Sequence, residues 1–236
     1  MATLKVLEGN PPHGSLPINE IFSSIQGEGT FTGMPAVFVR FQSCPVGCPW
    51  CDTKHTWEKK DDRKIIFESM LAKTTDADTW ADVDLHQLCA YLLQQPEQLV
   101  VFTGGEPALY DLNDLTSYLL RQDKRVQIET SGTEDIRVDM STWVTLSPKL
   151  DMPGGRQLLM SSLMLADEIK MPVGKQSDVE KLKQLLERRR NFDSDGPVVW
   201  LQPLSQSPKA TELCIAQARI NGWRLSAQLH RYLKIR

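Results

Sequence analysis

Apolar residues in this chain fall into short runs separated by longer stretches with helical spacing. Pro35-Ala-Val-Phe-Val-Arg-Phe41, Leu99-Val-Val-Phe102, Val126-Gln-Ile-Glu129, Trp143-Val-Thr-Leu146 and Val198-Val-Trp-Leu201 are rich in β-branched and aromatic side chains and read as buried strands. Ile18-Asn-Glu-Ile-Phe22 opens the folded part, Glu168-Ile-Lys170 falls inside the series, and Trp223-Arg-Leu-Ser226 closes it. Between the runs, Asp84–Gln95 carries Leu85, Leu88, Cys89, Leu92 and Leu93 on one helical stripe. Further helices are predicted over Ile66–Lys73, Asp111–Arg121, Leu158–Leu165 and Asp178–Arg190, the last with Ser177 and Glu180 in capping-box spacing. Pro208 after Ser207 starts another, reaching Ile220.

Short buried strands alternating with helices predict parallel βα units and an α/β fold. Gly9-Asn-Pro-Pro-His-Gly14 marks residues 1–16 as a loose leader. No linker or repeat divides the remainder, so 17–236 is expected to form one domain.

Composition narrows the class. With 41% hydrophobic and 24% charged residues, the chain has ample material for a core. A net charge of −3 argues against nucleic acid as the main partner, and Arg188-Arg189-Arg190 is explained as the basic end of a helix. No stretch reaches the ~18 apolar residues of a membrane span, and no signal region precedes the fold, so a cytoplasmic location is expected. The cysteine count is odd, at five, with three crowded together, which fits a reducing compartment better than a disulfide scaffold.

The strand ends carry the chemistry. Thr103-Gly-Gly-Glu-Pro107 follows Phe102, Glu129-Thr-Ser-Gly132 follows Ile128, and Ser147-Pro-Lys149 follows Leu146. Lys170 and Gln202-Pro203 close two more strands. In a parallel α/β barrel these ends share one mouth, where ligands bind. The loop Cys44-Pro-Val-Gly-Cys48-Pro-Trp-Cys51 also leaves a strand and opens on that mouth. Three thiols so close can converge on a soft metal centre. Cys89 and Cys214 stand apart in apolar helical surroundings, so a [4Fe–4S] cluster held by three thiolates would leave one iron open.

The CxxxCxxC spacing, with Trp50 before the last cysteine, resembles the cluster motif of radical S-adenosylmethionine enzymes, and Gly104-Gly-Glu-Pro107 resembles their glycine-rich methionine-binding turn. Gln26-Gly-Glu-Gly29, Thr32-Gly33, Arg40, Cys51-Asp-Thr53, Thr103–Pro107, Glu129–Gly132, Ser147–Lys149 and Gln202-Pro203 follow in the order found in the 7-carboxy-7-deazaguanine synthase family. The resemblance runs from about residue 17 to the C-terminus and implies a partial or modified TIM barrel of about six parallel βα units, the radical SAM core. It implies a lyase of queuosine biosynthesis that converts 6-carboxy-5,6,7,8-tetrahydropterin to 7-carboxy-7-deazaguanine. Ammonia is lost in a ring contraction begun by a 5′-deoxyadenosyl radical.

By the same resemblance Cys44, Cys48 and Cys51 hold the cluster. Trp50, Cys51, Asp52, Gly105, Glu106, Ser131, Ser147, Pro148, Lys149 and Gln202 face S-adenosylmethionine, with Glu106 meeting its ammonium. Ile25, Gln26, Gly27, Glu28, Arg40 and Thr103 face the substrate, and Arg40 suits its carboxylate. Thr53 gives a hydroxyl to Mg²⁺, whose remaining shell is water and substrate oxygens. Gln228 and His230 are secondary candidates at the substrate. A flavodoxin or ferredoxin as electron donor and a homodimer complete the expectation. The leader departs from the family pattern, and the cluster loop lacks the long insertion that some members carry.

Two other readings stay open on the sequence. His55 completes a Cys₃His set with the three cysteines, which suits a closed structural zinc site. An activase that installs a glycyl radical on a partner would share CxxxCxxC and the GGE turn, but not Gln26–Gly29 with Arg40 and Thr53.

Overall fold

The computed structural model describes residues 9–191 and 196–235; the first half of the expected leader, 1–8, lies outside the described residues. Strands β1 (Ser15–Ile25) and β2 (Pro35–Phe41) form an antiparallel pair. Helix α1 (Phe67–Leu71), strand β3 (Ala81–Asp84) and helix α2 (Leu85–Gln94) follow. The parallel series then runs β4 (Leu99–Gly104), α3 (Asn113–Arg121), β5 (Arg125–Thr130), β6 (Trp143–Leu146), α4 (Met160–Leu165) and β7 (Glu168–Val173). It ends with α5 (Gln176–Arg190), β8 (Val198–Pro203), α6 (Pro208–Asn221), β9 (Arg224–Leu225) and α7 (Leu229–Leu233).

Among the described residues, nine strands form one sheet in the order β3-β1-β2-β4-β5-β6-β7-β8-β9. Every pairing from β2 to β9 is parallel. The edge strands β3 and β9 do not pair with each other, so the barrel is partial and stays open. Three features depart from the sequence reading. The sheet gains an antiparallel pair, β1 and β3, beyond its parallel units. No α-helix joins β5 to β6. The fold also begins two residues inside the expected leader, because β1 starts at Ser15 and Leu16 is buried.

Side-chain alternation divides the sheet into two faces. Val37, Val39, Phe41, Val100, Phe102, Val126 and Ile128 point outward onto Leu88, Cys89 and Leu92 of α2 and Leu115, Tyr118 and Leu119 of α3. Leu146, Ile169, Met171, Val199 and Leu201 pack on α4, α5 and α6, with Cys214 among them. Cys89 and Cys214 are therefore core side chains, as their helical positions predict. The inward face is apolar at its floor, where Ala36, Leu99 and Val101 meet, and along the stacked rings of Phe22 and Phe38.

Above that floor, inward residues are polar and linked across strands. Gln127 Nε2 donates to Thr145 Oγ1 at 2.8 Å, and Thr145 Oγ1 donates to Glu168 Oε1 at 2.7 Å. Such a buried chain is tolerated because its members satisfy one another. The helix-start expectation at α5 needs revision: Asp178, not the Ser177/Glu180 pair, accepts from Lys175 N–H at 3.0 Å and Gly174 N–H at 2.9 Å. Among the described residues no helix is long and apolar enough to cross a membrane.

Candidate active site

The cysteine loop leaves the carboxyl end of β2 through Ser43, whose φ of 85° turns the chain back across the mouth. Backbone bonds fix its start: Ser43 N–H donates to Thr56 O at 2.7 Å and Cys44 N–H to Trp57 O at 3.0 Å. The turn after β4 is bonded to the same place. Gly105 N–H donates to Phe41 O at 2.9 Å and Glu106 N–H to Ser43 O at 2.8 Å. Only glycine fits this seam. A Cβ on Gly105 would stand 2.2 Å from Ser43 O, and one on Gly104 (φ +99°) would stand 2.2 Å from Arg40 Cγ. The two motifs that looked separate along the chain form one hydrogen-bonded unit.

All three thiols are free and line the same cavity. Burial pushes the Cys44 thiol up to about 12, with Glu106 and the neighbouring thiols reinforcing it. Burial also raises Cys48, against the pull of Lys149. A bound cation must therefore displace these protons, so metal loading and thiol ionisation are linked. Among the described residues no three His, Cys, Asp or Glu side chains converge closely enough to hold one ion. Tetrahedral zinc, with Zn–S bonds of about 2.3 Å, would need its sulfurs within roughly 4 Å of each other. A cluster gives each thiolate its own iron and needs no such convergence. His55 does not complete a zinc set: its charged neighbours are Asp76, Arg40, Glu20 and Lys73, and its buried Nε2 has no hydrogen-bond partner. The Cys₃His reading thus lacks its geometry.

One cavity of about 580 Å³ is lined by every residue to which the resemblance assigns a ligand role except Pro148. Around the cysteine loop, Trp50 is 40% exposed at the rim. Thr53 Oγ1 lies 3.5 Å from Cys51 Sγ, and Asp52 stands 3.4 Å from Arg231 Nη2 of α7. Lys149 Nζ donates to Ser147 Oγ at 2.6 Å, and burial holds this lysine below its ordinary range. Gln202 Oε1 accepts from Ser226 Oγ at 3.3 Å.

Two expectations change in detail. The sequence reading gives Glu106 a ligand ammonium, but its carboxylate already accepts from four protein donors. Ala108 N–H bonds at 3.0 Å, Thr130 Oγ1 at 2.5 Å and Ser131 N–H at 2.9 Å, with Ser131 Oγ as the fourth. A carboxylate offers about four acceptor sites, so Glu106 fastens the glycine turn to the end of β5. Gln26 is similarly occupied. Its Nε2 donates to Gln127 Oε1 at 3.0 Å and Glu129 Oε1 at 3.1 Å, while its Oε1 accepts from Glu28 N–H at 3.1 Å.

On the far side of the cavity the structure joins residues to which the sequence gives no ligand role, Lys170, Glu129 and Glu20, to candidates at the substrate. Lys170 forms ion pairs with Glu28 and, at 3.4 Å, with Glu129. Thr103 Oγ1 lies 3.4 Å from Glu129 Oε2, and Arg40 Nε donates to buried Glu20 at 2.7 Å. Glu129 and Lys170 were visible as polar strand ends. Their partnership was not, because it depends on how β5 and β7 are placed around the barrel.

Helix α7 closes this side. Leu229 N–H donates to Gly27 O at 3.2 Å, and Gln228 Nε2 donates to Glu28 Oε1 at 2.9 Å. No residue of α7 is buried. Truncation after Ala227 is therefore expected to leave the urea midpoint nearly unchanged. Loss of the Gln228 bond to a charged acceptor should lower kcat/KM by about 10–100-fold, equivalent to ~1.5–3 kcal/mol. Parallel unfolding and steady-state assays of the truncated chain check both halves.

No protein-family profile matches the chain. It is 50% identical over 222 residues to 7-carboxy-7-deazaguanine synthase of Escherichia coli (strain K12), an alignment covering 93% of this chain and 98% of that one. The synthase of Buchnera aphidicola subsp. Schizaphis graminum is 42% identical over 222 residues, covering 93% and 99% of the two chains. The crystal structure of QueE from Escherichia coli superposes with a TM-score of 0.86 at 48% identity, covering 89% of this chain and 92% of the other. Near-complete coverage on one fold, at such identity, establishes that this chain belongs to the 7-carboxy-7-deazaguanine synthase family of radical S-adenosylmethionine enzymes.

Proposed function

We propose that this enzyme converts 6-carboxy-5,6,7,8-tetrahydropterin to 7-carboxy-7-deazaguanine with loss of ammonia, in queuosine biosynthesis. One observation carries the reading beyond family membership. A single cavity has three free thiols on one wall and a set of carboxylates, lysine and arginine on the other.

The residues present fit a [4Fe–4S] cluster on Cys44, Cys48 and Cys51. Three soft donors share one short loop, and the fourth position is left for S-adenosylmethionine. When bound, cluster and S-adenosylmethionine together supply the electron and the 5′-deoxyadenosyl radical that begin hydrogen abstraction from the substrate. The chain's own groups orient and shield. Trp50 and Asp52 flank the cofactor, with Gly105, Ser131, Ser147, Pro148, Lys149 and Gln202 around it.

On the substrate side, Glu20 engages Nε of Arg40, which leaves the two Nη nitrogens for bidentate contact with the carboxylate. Glu28 and Thr103 face the ring beside Ile25, Gln26 and Gly27. Thr53 would supply a hydroxyl to Mg²⁺, whose charge would steady the substrate carboxylate. We read the chain from Ser15 onward as one catalytic domain in a cytoplasmic homodimer served by a flavodoxin or ferredoxin.

Anaerobic reconstitution followed by incubation with S-adenosylmethionine, Mg²⁺, dithionite and the carboxypterin is expected to yield 7-carboxy-7-deazaguanine. A protein that forms the cluster and cleaves S-adenosylmethionine, yet leaves the pterin unchanged, would refute the assignment.

A further inference from the structure

We propose that Lys170 is a specificity-determining positioning residue: it holds Glu28 and Glu129 together as ionised acceptors that select a substrate ring with adjacent N–H donors, a 2-amino-4-oxopyrimidine edge. The proposal rests on the functional reading above and names the part of the substrate that this side of the cavity recognises.

Lys170 is an inward residue in the middle of β7, which runs on to Val173, and is 5% exposed, so its charge needs partners from the protein. It has two, from different elements. Glu28 arrives from the loop after β1 and Glu129 from β5, with Lys170 Nζ between them. Each carboxylate has further partners. Gln228 Nε2 reaches the other oxygen of Glu28, Oε1, at 2.9 Å. On Glu129, Gln26 Nε2 lies 3.1 Å from Oε1, which it shares with Lys170, and Thr103 Oγ1 lies 3.4 Å from Oε2. The remaining charged or titratable groups that face this cluster are Glu168, two positions earlier on β7, Lys149 from the loop after β6, and His230 of α7.

Two carboxylates on one ammonium leave an excess of acceptors over donors. A ring bearing an N–H beside an amino group offers the matching fork, which a carboxylate takes in bidentate fashion. Burial alone would raise Glu28, but Lys170 and the Gln228 bond outweigh it and hold the carboxyl below its ordinary range. Lys170 in turn is held above its own range despite burial, by Glu129 and Glu28. Without the ammonium, two part-buried carboxylates at one site would share a proton. A protonated carboxyl presents a donor where the ring also presents donors, and recognition fails.

The test uses reconstituted holoenzyme and two substrates, 6-carboxytetrahydropterin and its analogue lacking the 2-amino group. Wild type should prefer the amino compound by at least about 10³-fold in kcat/KM, as a site built around a substrate N–H does. Lys170→Met should raise KM by about 10–100-fold and reduce that preference at least tenfold, with S-adenosylmethionine affinity unchanged. The acid limb of its kcat/KM profile should move to higher pH. Lys170→Arg, which keeps the charge, should restore part of the preference.

If Lys170→Met does not fold, Lys170→Gln, which keeps a donor toward Glu28 without the charge, takes its place. It is expected to fold with the same loss of preference. Normal wild-type turnover, combined with a folded charge-lacking variant that keeps wild-type KM, preference and pH profile, would overturn this proposal alone. So would a loss that fell equally on S-adenosylmethionine binding. A wild-type enzyme that ignores both pterins would overturn the functional reading and this one together.

Discussion

Cys48→Ala is expected to abolish turnover while leaving the fold intact. Cys48 stands between the other two thiols and is buried in the cavity wall. Changing a partner that merely orients a metal ligand costs about 10–100-fold, so removal of one of three ligands should exceed ~10³-fold. The backbone loses little. The loop is held through main-chain atoms, including Cys51 N–H to Cys48 O at 3.0 Å, which alanine preserves. The variant should therefore unfold near the wild-type urea midpoint, yet emerge from anaerobic reconstitution without thiolate–iron absorbance near ~400 nm. Cys214→Ala supplies the contrast. It trims a core side chain on α6, so it should cost about 1 kcal/mol of stability and retain both absorbance and turnover. Full anaerobic activity of Cys48→Ala would remove the three-thiolate cluster from the account.

The architecture was legible because most strands bury their outward residues under helices and several bury their floor as well. Runs such as Leu99-Val-Val-Phe102 then stand out without any alternation. Strand β3 did not stand out, because Ala81-Asp-Val-Asp84 is short and its two aspartates are exposed. It exists through its pairing with β1, a contact distant in sequence.

The site divides in the same way. A thiol spacing is local, so the cysteine loop was readable. Glu106 was readable as a carboxylate in a glycine turn, but its partners Thr130 and Ser131 come from the next strand, and they change what it does. Lys170 shows the opposite case. Its neighbours in sequence are apolar and its meaning lies in Glu28 and Glu129, which reach it only once the barrel curves.

Glu106→Ala is expected to destabilise the protein by about 4 kcal/mol. The change leaves four donors, on Ala108, Thr130 and Ser131, without their acceptor in a site where Glu106 itself is 1% exposed. A buried donor left unpaired costs roughly 1–3 kcal/mol, and the four are not additive because water enters the space the side chain leaves. Against a total of about 5–15 kcal/mol for a folded domain, such a loss should shift the urea midpoint by a large fraction of its value.

Glu106→Gln separates packing from chemistry. It keeps one carbonyl acceptor but turns an amide N–H₂ toward donors, so it should fall between alanine and wild type. Because Glu106 N–H is bonded to Ser43 O at the start of the cysteine loop, both variants should also reconstitute less cluster. The opposite pattern, unchanged unfolding with selective loss of S-adenosylmethionine binding, would return Glu106 to the role of ammonium partner. The decision follows from acceptor capacity: a carboxylate whose sites are filled by the protein has none to offer a ligand.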